Sequence, residues 1–249
     1  MTRKISATLL VLTFSFLSSQ ESIETDRPDQ TESASLTPKK FIQIESGFIY
    51  EKTDSHSEEF SHPNILWKYG INDNFELRMI TEFSSEKIGG EKFSGWMPLT
   101  LGFKAKLSDE KKLLPKISFI GHLTANKISS KHFQTTNVAP SFKFLFQHTL
   151  SEKWRMVYNL GADWNGETSD ATAVYTLSAA YTVTEKLGAF AEVFGFLNKY
   201  RKADHSLHGG FTYLITNDLQ LDASSGFGIS EISPDYFISC GVSYRFSTE

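Results

Sequence analysis

The chain has 249 residues, a formal net charge of −4 and 22% charged residues. It carries no basic stripe, which excludes nucleic acid as a partner, and its single cysteine, Cys240, excludes an intramolecular disulfide. No internal run approaches the roughly 18–20 apolar residues of a spanning helix.

The N-terminus reads as a secretion signal over residues 1–20. Arg3 and Lys4 form the positive start, Ala7 to Leu17 the apolar centre, and Ser18 and Ser19 the small residues before a cut near Ser19 or Gln20. No cysteine lies near that cut, so a lipoprotein is excluded. Residues 21–40 form a separate periplasmic N-terminal segment. Its stretch Glu24 to Ser33 does not alternate, is dense in charge and contains Pro28. It is either a disordered tail or a short plug folded into a lumen. As a plug, Asp26, Arg27, Asp29 and Glu32 would pair with lumen charges such as Lys68, Arg78, Lys104 and Arg155. A TonB box is a third option, although the chain is too small for a TonB-dependent transporter with a globular plug.

From residue 41 to 249, twelve stretches alternate apolar and polar residues. The first sets Ile42, Ile44, Phe48 and Tyr50 against Gln43 and Glu45. The second sets Ile65, Trp67 and Tyr69 against Asn64 and Lys68, and the third Phe75, Leu77, Met79 and Phe83 against Glu76, Arg78 and Glu82. The fourth opposes Leu99, Leu101, Phe103 and Leu107 to Thr100, Lys104 and Lys106. The fifth opposes Ile117, Phe119 and Leu123 to Lys116, Ser118 and His122, and the sixth Phe142, Phe144 and Phe146 to Ser141, Lys143 and Gln147. The seventh is the clearest: Trp154, Met156, Tyr158, Leu160, Ala162 and Trp164 against Arg155, Val157, Asn159, Gly161 and Asp163. The eighth opposes Tyr175, Leu177 and Tyr181 to Thr176 and Ser178. The ninth opposes Leu187, Ala189, Ala191 and Val193 to Phe190, Glu192 and Phe194. The tenth sets Phe211, Tyr213 and Ile215 against His208 and Thr212, the eleventh Leu219, Leu221 and Phe227 against Gln220, Asp222 and Ser224. The twelfth sets Tyr236, Ile238, Cys240, Val242, Tyr244 and Phe246 against Ser239, Ser243 and Arg245.

A period of two is a strand with two unlike faces. The apolar face carries no charge on any of the twelve stretches and is rich in aromatics, which suits lipid. The other face is charged and rich in Gly and Ser, which suits a wet lumen. A soluble β-sandwich or lipocalin-like barrel would instead point the apolar phase at a core. Ten tilted residues climb roughly 25 Å, the height of an outer-membrane apolar band. The expected fold is therefore all-β, a transmembrane antiparallel up-and-down barrel of about twelve strands. Leu160 is expected near the bilayer midplane, and Asn159→Arg is expected to cost much less than Leu160→Arg.

Connections after even-numbered strands are mostly short, as in Asn72-Asp73-Asn74, Ser151-Glu152-Lys153, Thr184-Glu185-Lys186 and Thr216-Asn217-Asp218. Those after odd-numbered strands are longer: Glu51 to Ser61, Ser84 to Trp96, Ala125 to Asn137 and Asn165 to Ala171. This asymmetry puts both termini in the periplasm and the long loops outside.

The candidate lumen-lining residues are Glu45, Lys68, Glu76, Arg78, Glu82, Lys104, Arg155, Asp163, Phe190, Glu192, Phe194, His208, Asp222 and Arg245. Their charges are mixed in sign, which gives weak ion selectivity or a cross-strand lattice that narrows the pore. Phe190 and Phe194 flank Glu192 and either line a greasy track or simply pack. No metal-ligand spacing appears among the scattered histidines and no cofactor is expected. An outer-membrane lipid hydrolase would need Ser, His and a polar orienter close together on the outer wall, and no His-x-Ser pair occurs on a strand.

Three segments carry a family resemblance. The first is Glu24-Thr25-Asp26-Arg27-Pro28-Asp29-Gln30-Thr31-Glu32-Ser33, followed by Pro38 and Gln43-x-Glu45-x-Gly47. The second is Tyr69-Gly70-Ile71-Asn72-Asp73-Asn74-Phe75-Glu76-Leu77-Arg78. The third runs from Gly209-Gly210-Phe211-Thr212-Tyr213, through Gln220-Leu221-Asp222, to Gly241-Val242-Ser243-Tyr244-Arg245-Phe246. Together they resemble the outer-membrane transporter family named for the MetA pathway of phenol degradation, in its Bacteroidota-type members. The resemblance covers nearly the whole mature chain. It implies an outer-membrane pore or transporter for small solutes, aromatic or hydrophobic ones among them, and not an enzyme. Its partners would be outer-membrane lipid, the solute and the barrel-assembly machinery. A structural or adhesin-type barrel and a lipid hydrolase are the competing readings. Two features depart from the pattern: His208 stands where relatives are expected to have an acid, and Ser247-Thr248-Glu249 extends beyond the terminal aromatic Phe246.

Overall fold

The computed structural model describes residues 22–54 and 57–249, so the expected signal peptide lies outside the described residues. The described chain is one sheet of thirteen strands: β1 (Phe41–Lys52), β2 (Ser57–Asn72), β3 (Phe75–Ile88), β4 (Glu91–Trp96), β5 (Thr100–Ser108), β6 (Lys116–Thr124), β7 (Ala139–Thr149), β8 (Trp154–Asp163), β9 (Thr172–Thr182), β10 (Leu187–Asn198), β11 (Asp204–Thr216), β12 (Leu219–Gly228) and β13 (Tyr236–Ser247). Every pairing is antiparallel. β1 closes the circle on β13, from Phe41↔Ser247 to Lys52↔Tyr236. β4 pairs only with β3, so twelve strands (thirteen less β4) make the wall.

β4 and β5 share β3 as a partner: β5 takes Phe75 to Ile80 and β4 takes Phe83 to Ile88. Pro98 lies between them and cannot donate to a ladder, which breaks one long strand into two. This corrects the expected boundaries of the long connections. Residues 51–61 and 84–96 are mostly strand, because β2 begins at Ser57 and the β3–β4 hairpin turns at Gly89 and Gly90, both with positive φ. Those extensions rise past the apolar band, so both of their faces carry charge and the alternation that marks a strand disappears.

The two faces separate as a barrel in lipid requires. Outward Leu160 is 53% exposed, whereas its neighbour Asn159 is fully buried, as are Glu45, Glu76 and Lys104. Polar groups inside and apolar groups outside are the reverse of a soluble domain. Closure leaves no strand edge to lipid, where an unpaired backbone group has no water to bind. On the outer face, aromatic rings contact across strands: Phe75 and Phe103 at 5.5 Å, Phe103 and Phe119 at 6.0 Å, and Phe119 and Phe144 at 5.1 Å. Such cross-strand pairs fix register.

The tail beyond Phe246 is held. The Thr248 N–H and hydroxyl both donate to the Lys40 carbonyl at 2.8 Å, and Lys40 pairs with Glu249. Leu160→Arg is expected to destabilise the barrel by about 2–4 kcal/mol, the cost of a cation at the bilayer midplane. Urea unfolding in lipid vesicles reads it, and a cost near zero would contradict the outward placement.

Candidate functional site

Residues 22–40 have almost no regular structure, yet they lie inside the barrel. Ile23 donates its N–H to the Asn217 carbonyl (2.7 Å) at the end with short turns. The chain climbs into the lumen, loops and returns to the same end, where Lys39 bridges Gly70 and leads into β1. An irregular backbone at this depth must find its hydrogen bonds in side chains. The polar phase of the wall supplies them. Glu45 on β1 accepts from the N–H groups of Asp26 and Arg27, both at 2.9 Å. Glu192 on β10 accepts from the N–H groups of Gln30 (2.8 Å) and Thr31 (3.0 Å) and from the Thr31 hydroxyl (2.7 Å). Glu76 on β3 accepts from Thr37 N–H (2.6 Å), Asn159 on β8 from Glu32 N–H (2.7 Å) and Gln147 on β7 from Ala34 N–H (3.2 Å). Ser118 on β6 donates to the Ala34 carbonyl, Ser178 on β9 to the Asp29 carboxylate and Gln220 on β12 to the Thr25 hydroxyl.

Asp26, Arg27 and Glu32 of the segment are paired with wall charges, as expected, but Asp29 meets the Ser178 hydroxyl and not a cation. Asp26 sits among three cations: Lys68 Nζ at 3.1 Å, Arg78 Nη1 at 2.9 Å and Lys104 Nζ at 3.1 Å. Burial opposes its charge, but Lys104, Lys68 and Arg78 outweigh burial and hold its carboxyl well below the usual range. Glu32 contacts Arg78 (2.6 Å) and Lys143 (3.3 Å), which against burial bring it down to about 2. Asp29 goes the other way: burial, and then the nearby carboxylate of Glu192, push it well above its ordinary value.

Arg27 lies across a slot of two inward glycines, Gly47 and Gly241, paired between β1 and β13. A Cβ at Gly47 would collide with the guanidinium. From that slot Arg27 donates to Asp222 (3.1 Å) on β12 and to the Ser239 hydroxyl (2.8 Å) on β13.

The remaining candidates divide. Glu192 also contacts His208 Nδ1 at 2.5 Å, so the histidine serves the acid across the β10–β11 pair. Phe190, Phe194 and Phe237 ring that imidazole, with centroids 5.1, 6.5 and 4.9 Å away. Phe194 is buried against that imidazole, and Phe190 also lines a cavity on the short-turn side. Arg155 meets Glu24 at 2.8 Å. Arg245 turns to Asp218 at the short-turn end and lies over the Phe41 ring. Glu82 bonds Ser61 and Asn64 on β2, outside the network of the segment. Asp163 lines a cavity of about 290 Å³ with Glu32, His122 and Lys143. A second cavity on the long-hairpin side, about 380 Å³, is lined by Asp170, Phe196, Arg201 and Asp204. Two others, of about 130 and 240 Å³, open on the short-turn side beside Glu24. The segment stands between the two sets.

Sequence reasoning missed Asn159, Gln147, Ser118 and the Gly47–Gly241 slot. Their polar or small character on the inner phase was visible, but Asn159, Gln147 and Ser118 meet the segment's backbone, which carries no sequence mark, and the slot meets the Arg27 guanidinium. It also missed a contact across strands: His62 Nε2 lies 2.8 Å from the Ser85 hydroxyl, which bonds Ser94. Among the described residues no carboxylate or amide orients that imidazole, and its ring stacks on Phe60 at 4.5 Å.

Residues 25–246 match the family model described as "Putative MetA-pathway of phenol degradation". Among solved structures, the COG4313 outer membrane channel from Pseudomonas putida F1 is similar with a TM-score of 0.69 at 14% identity, over 86% of this chain and 98% of that one. The KdgM porin is similar at 0.53 and 11%, over 81% and 99%. The CymD monoaromatic hydrocarbon channel is similar at 0.51 and 10%, over 86% and 90%. At these identities the likeness is one of fold. No curated protein matches the sequence.

Proposed function

The chain belongs to the family of the MetA pathway of phenol degradation, and from that footing we propose that it is an outer-membrane channel for passive passage of small solutes, aromatic or hydrophobic ones among them. The observation that carries this reading is the lumen itself. A closed wall presents charged and hydroxyl groups inward, and a loop of the same chain fills its middle by binding those groups. Cavities lined by polar groups open toward both ends of the lumen, on either side of that loop. In this reading residues 22–40 form the constriction, both termini are periplasmic and the long hairpins face outside. The names of the similar structures, an outer membrane channel and a monoaromatic hydrocarbon channel among them, agree with a small-solute path.

The test is conduction. Full-length protein in planar bilayers is expected to give small, weakly ion-selective steps, because the wall cations and carboxylates are largely neutralised by one another and by the segment. Vesicles carrying it are expected to swell in small solutes and not in large ones. Absence of both current and swelling would overturn the channel reading in favour of a structural barrel.

A further inference from the structure

We propose that Lys68, Arg78 and Lys104 form a carboxylate-binding site on the channel wall, for which Asp26 is the resident intramolecular ligand and a small monocarboxylate with an apolar body is the solute that takes its place. The inference deepens the channel reading and rests on it.

The geometry is that of a ligand site. Three cations from adjacent strands of the wall converge on one carboxylate at 2.9–3.1 Å, and that carboxylate comes from a loop with no sheet of its own. The wall only half satisfies these cations. Lys68 has Glu45 at 2.5 Å and Arg78 has Glu76 at 2.9 Å, but Lys104 is bonded by Asp26 and by the carbonyls of Ser33 and Ser35, all from the segment. With the segment withdrawn, three buried cations would face two wall carboxylates, which favours an incoming anion. The planar fork of Arg78 suits a carboxylate.

The neighbouring wall supplies the apolar part. Leu66 and Ile80 face inward opposite each other, one register step beyond the Lys68–Arg78 pair, and Ile120 lies opposite Lys104. Ala34 of the segment packs with Ile120 and Leu145, beside Lys104. The segment thus presents a carboxylate and an apolar group to the same patch. A free solute with both features is the chemical equivalent.

Full-length Asp26→Ala protein is the test, with benzoate as the probe, benzamide as its uncharged counterpart and formate as the acid without a body. Benzoate is expected to raise the unfolding temperature of Asp26→Ala in detergent by a few degrees, saturably, as a ligand of the folded state does. Formate should do less and benzamide nothing. Wild type should respond only at higher benzoate concentrations, because the probe must first displace Asp26. Adding Lys104→Met should abolish the shift. Equal shifts in wild type and variant, or equal shifts with benzoate and benzamide, would overturn the proposal.

If Asp26→Ala does not assemble, the isosteric Asp26→Asn decides it by reversal potential in a salt gradient. A shift toward anions, and block by benzoate but not benzamide, is expected; an unchanged potential overturns the site. Conductance of the same variants separates the two readings. Raised current with no response to benzoate sinks the site and leaves the channel. A benzoate shift with no current at all leaves the site and sinks the channel.

Discussion

Arg78→Met is expected to be the most destabilising single change in the lumen. Arg78 contacts Asp26, Glu32 and Glu76 within 2.6–2.9 Å, and its side chain is almost fully buried. Methionine keeps the bulk and removes the charge, leaving those carboxylates to Lys68, Lys104 and Lys143 alone. Breaking a buried pair by removing one partner costs about 3–5 kcal/mol, because the other charge stays buried without compensation. Arg78 holds several such pairs at once. The neighbouring Leu77→Met, on the lipid face, keeps volume and chemistry and should cost less than about 1.5 kcal/mol. Urea unfolding in vesicles compares the two directly. Equal costs would mean that water, not Arg78, solvates the carboxylates.

Glu192→Lys is expected to unseat the middle of the N-terminal segment and raise conductance several-fold. Glu192 accepts from two N–H groups and one hydroxyl of the segment and from His208. Lysine has no acceptor, so donors would face donors, each losing its partner in a buried site. The ammonium would also lie close to His208. Glu192→Gln keeps one acceptor oxygen and should fall between wild type and Glu192→Lys. Glu167→Lys, on the exposed connection between β8 and β9, should leave conductance near wild type. If Glu192→Lys conducts no more than Glu167→Lys, then Glu192 does not hold the segment in the passage.

Much of this was legible in the sequence, and the limits have physical causes. Strand phase could be read because lipid tolerates no charge: the sides of Leu160 and Asn159 follow from the pattern alone. The inner position of Lys68, Arg78 and Lys104 followed in the same way. The failure of Glu24 to Ser33 to alternate set it apart from the wall, and its charges named possible partners, Lys68, Arg78, Lys104 and Arg155 among them. What could not be read is that the wall also binds the segment through its backbone. Glu45, Glu192, Glu76, Asn159 and Gln147 accept from N–H groups, and every residue but proline has one. For the same reason Asn159→Arg is no longer expected to be cheap. Asn159 accepts from the Glu32 N–H and donates to the Glu32 carbonyl, so arginine there would have to displace the segment. The hairpin extensions at Ser57 and Ile88 were hidden for a different reason, since above the bilayer nothing forces one face to be apolar.

If residues 22–40 occupy the path that solutes take, single-channel conductance must differ between the intact protein and protein lacking residues 24–33. The wall keeps its ladder hydrogen bonds without the segment, and water can take over at Glu45, Glu76 and Glu192, so the barrel should still assemble and migrate as folded on unheated gels. A several-fold larger step is expected in the shortened protein, with ion selectivity displaced toward anions because Lys104 loses Asp26. Identical conductance and selectivity in the two folded proteins would contradict that placement of the segment.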